Sequence, residues 1–268
     1  MDIIQTIIIA IVEGLTEFLP VSSTAHMKFA NPLIGVSPTP FTNMFEIVIQ
    51  LAAILSVVFA YSKKFFDFKH PSFYIKLVVA VIPALIAGAL LKKYIDSALD
   101  NLTFIACVMI AGGIILLFID NFFKQDAITE EKNISFPKAF VIGCFQVLSV
   151  LFPGLSRSAA TIVGGMSQKL TRNLAAEFSF FLAVPTMFAA SAKSFYDVYK
   201  EHPEVLVKSN MTTLGIGAVV AFIVALLAIR FFINYLQKHG FKIFGFYRII
   251  LGIVMLILLY TGVIHNVK

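Results

Sequence analysis

Six long apolar runs constrain what this chain can fold into. They lie at about residues 45–61, 77–91, 102–119, 174–192, 212–236 and 243–264, separated by clusters of charged residues. A helix of about 20 residues, at ~1.5 Å per residue, crosses a hydrocarbon core of ~30 Å. Only 13% of the 268 residues are charged and 59% are hydrophobic, which argues against a water-soluble domain. The sequence therefore predicts an all-α integral membrane protein with six transmembrane helices.

The excess of positive charge fits a lipid surface. The chain carries 21 Lys and Arg against 15 Asp and Glu, a net charge of +6. Most lysines lie between apolar runs, where they anchor helix ends to anionic lipid headgroups. We therefore predict membrane lipids as partners and no nucleic acid. Nine lysines fall in the loops of one side and seven in those of the other, and the positive-inside rule then puts both termini outside the cytoplasm.

Two further apolar segments, at about 3–34 and 136–170, are interrupted in the middle by Pro, Ser and Gly. The interruptions read LPVSSTAH in the first segment and FPGLSRSAAT in the second. Irregular backbone at membrane depth occurs where it is buried in protein or lines a water-filled cavity. The pattern predicts two re-entrant broken helix pairs in addition to the six spans.

The interrupted segments are spaced as copies of one another. Pro20 and Pro153 are 133 residues apart, and Glu46 and Glu177 are 131 apart, each offset being close to half of the 268-residue chain. A similar offset at two landmarks predicts internal duplication. We therefore expect a single membrane domain, 1–268, built from one repeat at about 1–134 and a second at about 135–268.

Each repeat holds one broken pair followed by three spans, and an odd number of spans reverses the direction of the second repeat. The sequence thus predicts an inverted-topology internal repeat. In such folds the broken helices meet near the bilayer midplane and line a polar site. The polar residues of the two interruptions are expected to converge there.

The first interruption carries residues suited to acid–base and nucleophilic chemistry. Glu13 and Glu17 stand four residues apart in an apolar helix and share one face. Ionisable residues within a membrane usually serve function, although Glu17 could instead cap a helix or extend to an interface. The pair would suit a divalent cation or a shared proton. Ser22, Ser23 and His26 follow closely, and a hydroxyl needs such a base to attack an ester or anhydride.

The second interruption carries a candidate anion site. Arg157 is flanked by Ser156, Ser158 and Thr161, with glycines before and after. The guanidinium fork matches phosphate oxygens, and free N–H groups at a helix start add to anion binding. The alternative is that Arg157 only neutralises Glu13, Glu17 or Glu177. Together the two turns favour phosphoryl transfer on a lipid that bears phosphate, whereas the inverted repeat alone would also suit a transporter of lipid phosphate or of a small anion.

Four segments carry a resemblance to a known family. Segments 13–26 (EGLTEFLPVSSTAH) and 153–161 (PGLSRSAAT) resemble the two signature motifs of the undecaprenyl-diphosphate phosphatase family, the bacitracin-resistance type. Segments 45–51 (FEIVIQL) and 177–185 (EFSFFLAVP) are similar to those that follow each motif in the family. The resemblance covers essentially the whole chain.

This resemblance implies a multi-pass enzyme of the bacterial inner membrane. It would remove the terminal phosphate of undecaprenyl diphosphate, a polyprenyl diphosphate lipid, and so recycle the carrier used in peptidoglycan synthesis. The pocket is expected to open to the periplasmic or outer face, and a divalent cation, Mg²⁺ or Ca²⁺, is expected as cofactor. A homodimer remains an option for its assembly.

The residue chemistry and the family pattern together assign expected roles to residues. Those expected to be catalytic are Glu13, Glu17, Ser22, Ser23, His26 and Arg157, with Glu13 and Glu17 as metal ligands. Those expected to bind substrate are Ser156, Arg157, Ser158, Thr161, Glu46, Gln50 and Glu177.

Overall fold

The computed structural model describes residues 1–69, 71–123 and 128–266, and these residues form a bundle of α-helices. In chain order the helices are α1 (Ile3–Thr16), α2 (Ser23–Leu33), α3 (Pro40–Ala60), α4 (Ser62–Phe65), α5 (Pro71–Leu90), α6 (Lys92–Asp100), α7 (Leu102–Phe122), α8 (Phe136–Leu151), α9 (Arg157–Ser167), α10 (Arg172–Glu201), α11 (Lys208–His239) and α12 (Lys242–Tyr260).

The six predicted spans are confirmed. Six helices are long and apolar enough to cross a membrane, namely α3, α5, α7, α10, α11 and α12. Many of their large apolar side chains point outward, including Leu90, Phe122 and Tyr260, each more than three-quarters exposed. Such an apolar exterior suits lipid rather than water. The chain is therefore a multi-pass, all-α membrane protein.

Both predicted breaks are present. Helix α1 ends at Thr16 and α2 begins at Ser23, while α8 ends at Leu151 and α9 begins at Arg157. These four helices have 14, 11, 16 and 11 residues. At ~1.5 Å per residue, each one is shorter than the ~30 Å hydrocarbon core. Pro20 and Pro153 lie in the turns, where the missing N–H of proline is tolerated.

We propose that residues 1–134 and 135–268 are the two repeats, and the helix contacts support this. Exchanging the halves pairs α1 with α8, α2 with α9, α3 with α10, α5 with α11 and α7 with α12. Helix α1 packs on α11, and their counterparts in the other half, α8 and α5, pack on each other as well. In the α3–α10 and α7–α12 contacts, each helix packs on its own counterpart.

Helices α7 and α12 run antiparallel, which an inverted repeat would require of equivalent helices. At one end of the α7–α12 pair, Asp120 accepts a hydrogen bond of 2.9 Å from the backbone N–H of Phe241. At the other end, Asn266 accepts one of 3.2 Å from the N–H of Thr103. The end of α7 thus lies beside the start of α12, and the start of α7 beside the residues that follow α12.

Candidate active site

In each broken helix pair, the residue just before the second helix is a serine with a positive φ angle. Ser22 precedes α2 with φ 71°, and Ser156 precedes α9 with φ 76°. Positive φ values are strained for residues other than glycine and cluster at functional sites. Each hydroxyl accepts a hydrogen bond from a backbone N–H of its own helix, that of Ala25 at 3.3 Å or of Ala159 at 3.2 Å. The other N–H groups of these two helix starts suit an anion.

The two turns meet at one cavity of about 330 Å³. Its wall contains apolar side chains of α3, α6, α8 and α10 together with polar groups from both halves of the chain. The polar lining residues are Glu17, Ser22, Ser23, Thr24, Lys28, Asn43, Glu46, Gln50, Gln146, Ser149, Ser156, Arg157 and Thr186. The cavity thus brings together both predicted serines of the first turn and the predicted arginine of the second.

Glu17 connects the two turns. One of its carboxylate oxygens accepts a hydrogen bond of 2.6 Å from Ser23 Oγ. The other accepts one of 3.0 Å from Arg157 Nη2. The second arm of the guanidinium, Nη1, donates to the carbonyl oxygen of Ser179 at 3.1 Å. A hydroxyl, a carboxylate and a guanidinium are therefore held in one hydrogen-bonded group, and a hydroxyl bonded to a carboxylate is an arrangement that can support nucleophilic catalysis.

Glu13 lies one turn before Glu17 and has a different environment. It is fully buried and does not line the cavity, and neither of its carboxylate oxygens accepts a hydrogen bond from a donor within the described ranges, although the Glu17 carboxylate lies within hydrogen-bonding reach. A buried carboxylate in that state needs a proton or a cation. Because Mg²⁺ is commonly held by one or two carboxylates plus water and substrate phosphate oxygens, Glu13 and Glu17 together fit a divalent cation. No cluster of three or more His, Cys, Asp or Glu occurs in the described part of the chain, so water and substrate would complete the coordination.

His26 does not line the cavity. Its Nδ1 is 2.7 Å from the carbonyl oxygen of Ser22, and its Nε2 is 2.7 Å from the hydroxyl of Tyr247. A carbonyl can only accept, so Nδ1 carries a proton and donates it. With both nitrogens engaged, His26 is placed to hold the backbone of the first turn, and the nearest base to Ser23 is Glu17.

Ser158 and Thr161 hold the second turn together and do not line the cavity. Ser158 Oγ donates to the carbonyl oxygen of Leu19 at 3.0 Å and shares a hydrogen bond of 3.0 Å with Ser156 Oγ. It thereby ties the second turn to the first. Thr161 is fully buried, and its hydroxyl bonds to the carbonyl oxygen of Arg157 and to Ser179 Oγ.

Of the three residues predicted from the segments that follow the two motifs, two line the cavity and one does not. Glu46 and Gln50, one turn apart on α3, line the cavity. Glu177 does not: it accepts a hydrogen bond of 2.8 Å from Lys64 Nζ, beyond the end of α3 that is remote from the cavity. Helices α3 and α10 run antiparallel, since Ser191 Oγ donates to the Ile47 carbonyl oxygen near one end and Lys64 bonds to Glu177 beyond the other. Glu46 and Glu177 therefore lie on opposite sides of the molecule.

Arg248 on α12 was not predicted from the sequence, yet it holds both turns. It is fully buried. Its guanidinium donates to the carbonyl oxygens of Pro20 at 3.1 Å in the first turn and of Leu155 at 2.6 Å and Gly154 at 2.8 Å in the second. A further bond of 3.3 Å reaches the carbonyl of Met109 on α7. The rigid five-donor fork suits this multiple backbone contact.

Comparison with known proteins shows the family of this chain. Residues 6–254 match the model of the family described as bacitracin resistance protein BacA. Three relatives carry the name undecaprenyl-diphosphatase. The relative from Porphyromonas gingivalis is 49% identical, covering 98% of this chain and 99% of its own. The one from Flavobacterium psychrophilum is 54% identical over 96% of each chain, and the one from Bdellovibrio bacteriovorus is 42% identical over 98% of each. This chain belongs to the bacitracin resistance protein BacA family.

Proposed function

We propose that this membrane protein removes the terminal phosphate of undecaprenyl diphosphate to give undecaprenyl phosphate, the carrier lipid of cell-wall synthesis. The observation that carries the proposal is the simultaneous bonding of Glu17 to Ser23 and to Arg157. Family membership and the relatives named undecaprenyl-diphosphatase support it. Nothing in those names favours the alternative of a lipid-phosphate transporter.

In the proposed reaction Ser23 is the nucleophile and Glu17 is the base. Ser23 Oγ attacks the terminal phosphorus while its proton passes to Glu17, and the bond from that phosphorus to the bridging oxygen breaks. Undecaprenyl phosphate leaves and takes that proton from Glu17 on its freed oxygen. A water molecule, deprotonated by Glu17, then attacks the phosphoserine, the bond between Ser23 Oγ and phosphorus breaks, the proton on Glu17 returns to Ser23 Oγ, and phosphate is released. The hydrogen bond of 2.6 Å between Ser23 and Glu17 supports this choice over direct attack by water.

Arg157 and the two helix starts bind the transferred phosphoryl group. The Arg157 guanidinium lies beside Ser23 through their common partner Glu17, so it can contact the oxygens of a phosphate that Ser23 attacks. Backbone N–H groups at the starts of α2 and α9 supply fixed dipoles for the charge that develops there. Held by Glu13 and Glu17, a divalent cation would neutralise further phosphate charge.

The size of the cavity indicates how a lipid would bind. About 330 Å³ suffices for a diphosphate headgroup, whereas a polyprenyl tail of 55 carbons is far larger. The apolar lining includes Ile47, Ile95, Leu99, Val150 and Met187. We therefore expect the headgroup to lie in the cavity and the tail to pass along these side chains into the bilayer.

The same geometry supports an orientation in the bacterial inner membrane. The cavity lies toward the end of the bundle that holds α6 and the C-terminal part of α10. That end carries the smaller lysine count of the sequence, which includes Lys92, Lys93 and Lys200. Under the positive-inside rule this side is outside the cytoplasm, so the cavity would open toward the periplasm.

The test is phosphate release from a C55 lipid diphosphate by the purified protein in detergent. We expect hydrolysis by the wild type, loss of at least 100-fold in Ser23→Ala, and unchanged hydrolysis in Ser209→Ala, which alters an exposed serine at the start of α11. Acid quenching with substrate labelled in the terminal phosphate should trap label on the protein. Failure of the wild type to release phosphate would overturn the proposal, and release without trapped label would assign the attack to water.

A further inference from the structure

A second ion pair borders the cavity besides the one between Arg157 and Glu17. Lys28 Nζ lies 3.1 Å from Glu46 Oε2, and the two side chains are only 12% and 6% exposed. The other oxygen of Glu46, Oε1, accepts a hydrogen bond from the side-chain amide of Asn31. Lys28 and Asn31 lie on α2, downstream of Ser23, and Glu46 lies on α3.

While both ion pairs are intact, the described residues that line the cavity include no unpaired cation to neutralise the charge of a diphosphate. Its charged lining residues are Glu17, Lys28, Glu46 and Arg157, two carboxylates and two cations. A diphosphate adds about three negative charges near neutral pH, given a second phosphate pKa of about 6. Burying such charge without a cationic partner is strongly unfavourable. The terminal phosphate can use Arg157 and the divalent cation proposed at Glu13 and Glu17, and the inner phosphate needs a cation of its own.

We infer that Lys28 binds the inner phosphate of a lipid diphosphate, leaving Glu46 when the substrate enters. This inference rests on the proposed function and adds a second phosphate position to it. Lys28 is the only other cation among the described residues that line the cavity. It projects from the same helix whose first turn carries Ser23, so both phosphate positions are organised by α2.

The surroundings of Lys28 permit this exchange. A lysine has a flexible four-carbon stem, and its ammonium can turn to a new partner. When Lys28 leaves, Asn31 still donates to Glu46, so the carboxylate keeps one hydrogen bond. In the empty cavity the pairing with Glu46 avoids an unpaired, nearly buried cation.

The consequence is preference for two linked phosphates. A ligand with a single phosphorus fills the position at Arg157 and gains nothing from Lys28. A ligand with two phosphorus groups contacts both cations. The structure thus predicts that Lys28 determines how strongly the site favours a diphosphate over a monophosphate.

The test measures binding to the full-length protein in detergent by titration calorimetry, with inorganic phosphate and methylene diphosphonate as the two probes. The wild type should bind methylene diphosphonate at least tenfold more tightly than phosphate. Lys28→Met, which keeps the stem and removes the charge, should lose most of that difference and bind phosphate within about twofold of wild type. Lys93→Met, which removes an exposed lysine from α6, is the matched control and should behave as wild type.

A second variant changes affinity in the opposite direction. Glu46→Gln removes the carboxylate that holds Lys28, so methylene diphosphonate should bind more tightly than it does to wild type. This result does not depend on Lys28→Met folding. Equal affinity of wild type and a folded Lys28→Met for methylene diphosphonate would overturn the inference, as would weaker binding by folded Glu46→Gln. A wild type that binds neither probe and hydrolyses no lipid diphosphate would instead overturn the proposed function.

Discussion

The guanidinium of Arg157 lies 3.0 Å from a carboxylate oxygen of Glu17, although 140 residues separate the two in the chain. Each residue comes from the broken helix pair of a different half. The contact joins the two halves at the cavity and places a cation, a carboxylate and the Ser23 hydroxyl in one hydrogen-bonded group. The proposed chemistry depends on both turns being held in this relation.

Arg157→Lys should lose most activity although the charge is kept. One guanidinium serves Glu17 through Nη2 and the Ser179 carbonyl through Nη1, and an ammonium cannot reproduce that planar fork. We expect kcat for lipid diphosphate hydrolysis to fall by about 100-fold, equivalent to ~2.7 kcal/mol. Phosphate release at saturating substrate measures this. Turnover near wild type would exclude the bidentate role of Arg157.

Glu13→Gln and Glu17→Gln should both weaken the binding of an added divalent cation, because the two carboxylates are the proposed ligands. Glu13→Gln should shift the cation titration to higher concentration, since no described residue donates a hydrogen bond that would otherwise compensate the Glu13 carboxylate. Glu17→Gln should in addition lose turnover, because Gln cannot accept the proton of Ser23. Hydrolysis measured against Mg²⁺ and Ca²⁺ concentration separates the two effects. Unchanged titration curves in both variants, with reduced turnover, would assign the pair to proton transfer alone.

Gly112→Ala should impair the active site although Gly112 does not line the cavity. A Cβ at position 112 would overlap Nη2 of Arg248, so the guanidinium has to move. Arg248 would then lose hydrogen bonds to the two turns, each worth on the order of 1.5–3 kcal/mol for a charged donor. We expect a lower melting temperature and a reduced kcat. Gly88→Ala is the control, because a Cβ there meets no atom within 4 Å.

Hydropathy predicted the spans well because membrane crossing depends on length and apolar composition alone. The two breaks could also be predicted, since proline and serine within an apolar segment leave a clear local pattern. Arg248 could not be predicted, because its partners are four backbone carbonyls that no side-chain pattern reveals. The role of Lys28 could not be predicted either, because its pairing with Glu46 depends on how α2 packs beside α3.

Glu177 and His26 show where spacing misleads. The half-chain offset predicts that Glu177 is equivalent to Glu46, but the antiparallel helices α3 and α10 place the two residues on opposite sides, and Glu177 pairs with Lys64. The position of His26, three residues after Ser23, predicts that it is close to the serine. The orientation of its ring is set by the Ser22 carbonyl and by Tyr247 on α12. Spacing gives proximity along a helix, whereas the direction of a side chain depends on long-range partners.

Cysteines at positions 23 and 156 should be joined by a short bifunctional crosslinker. Ser23 and Ser156 both line the cavity, and Ser158, two residues after Ser156, is bonded to the Leu19 carbonyl of the first turn. The background should lack Cys107 and Cys144, which are free and exposed. The matched control pairs Ser23→Cys with Ser62→Cys, since Ser62 lies 16 residues beyond Glu46, roughly 24 Å along the helix direction.

We expect crosslinking of the 23–156 pair in the detergent-solubilised protein and none of the 23–62 pair, read as a mobility shift on a denaturing gel. Methylene diphosphonate added beforehand should slow the reaction of the 23–156 pair, because the ligand would occupy the space between the two cysteines. Protection by the ligand tests the shared phosphate site, whereas crosslinking alone tests only the distance. Absence of crosslinking in a folded double variant would contradict the convergence of the two turns and would leave Arg157 without a role in the reaction at Ser23.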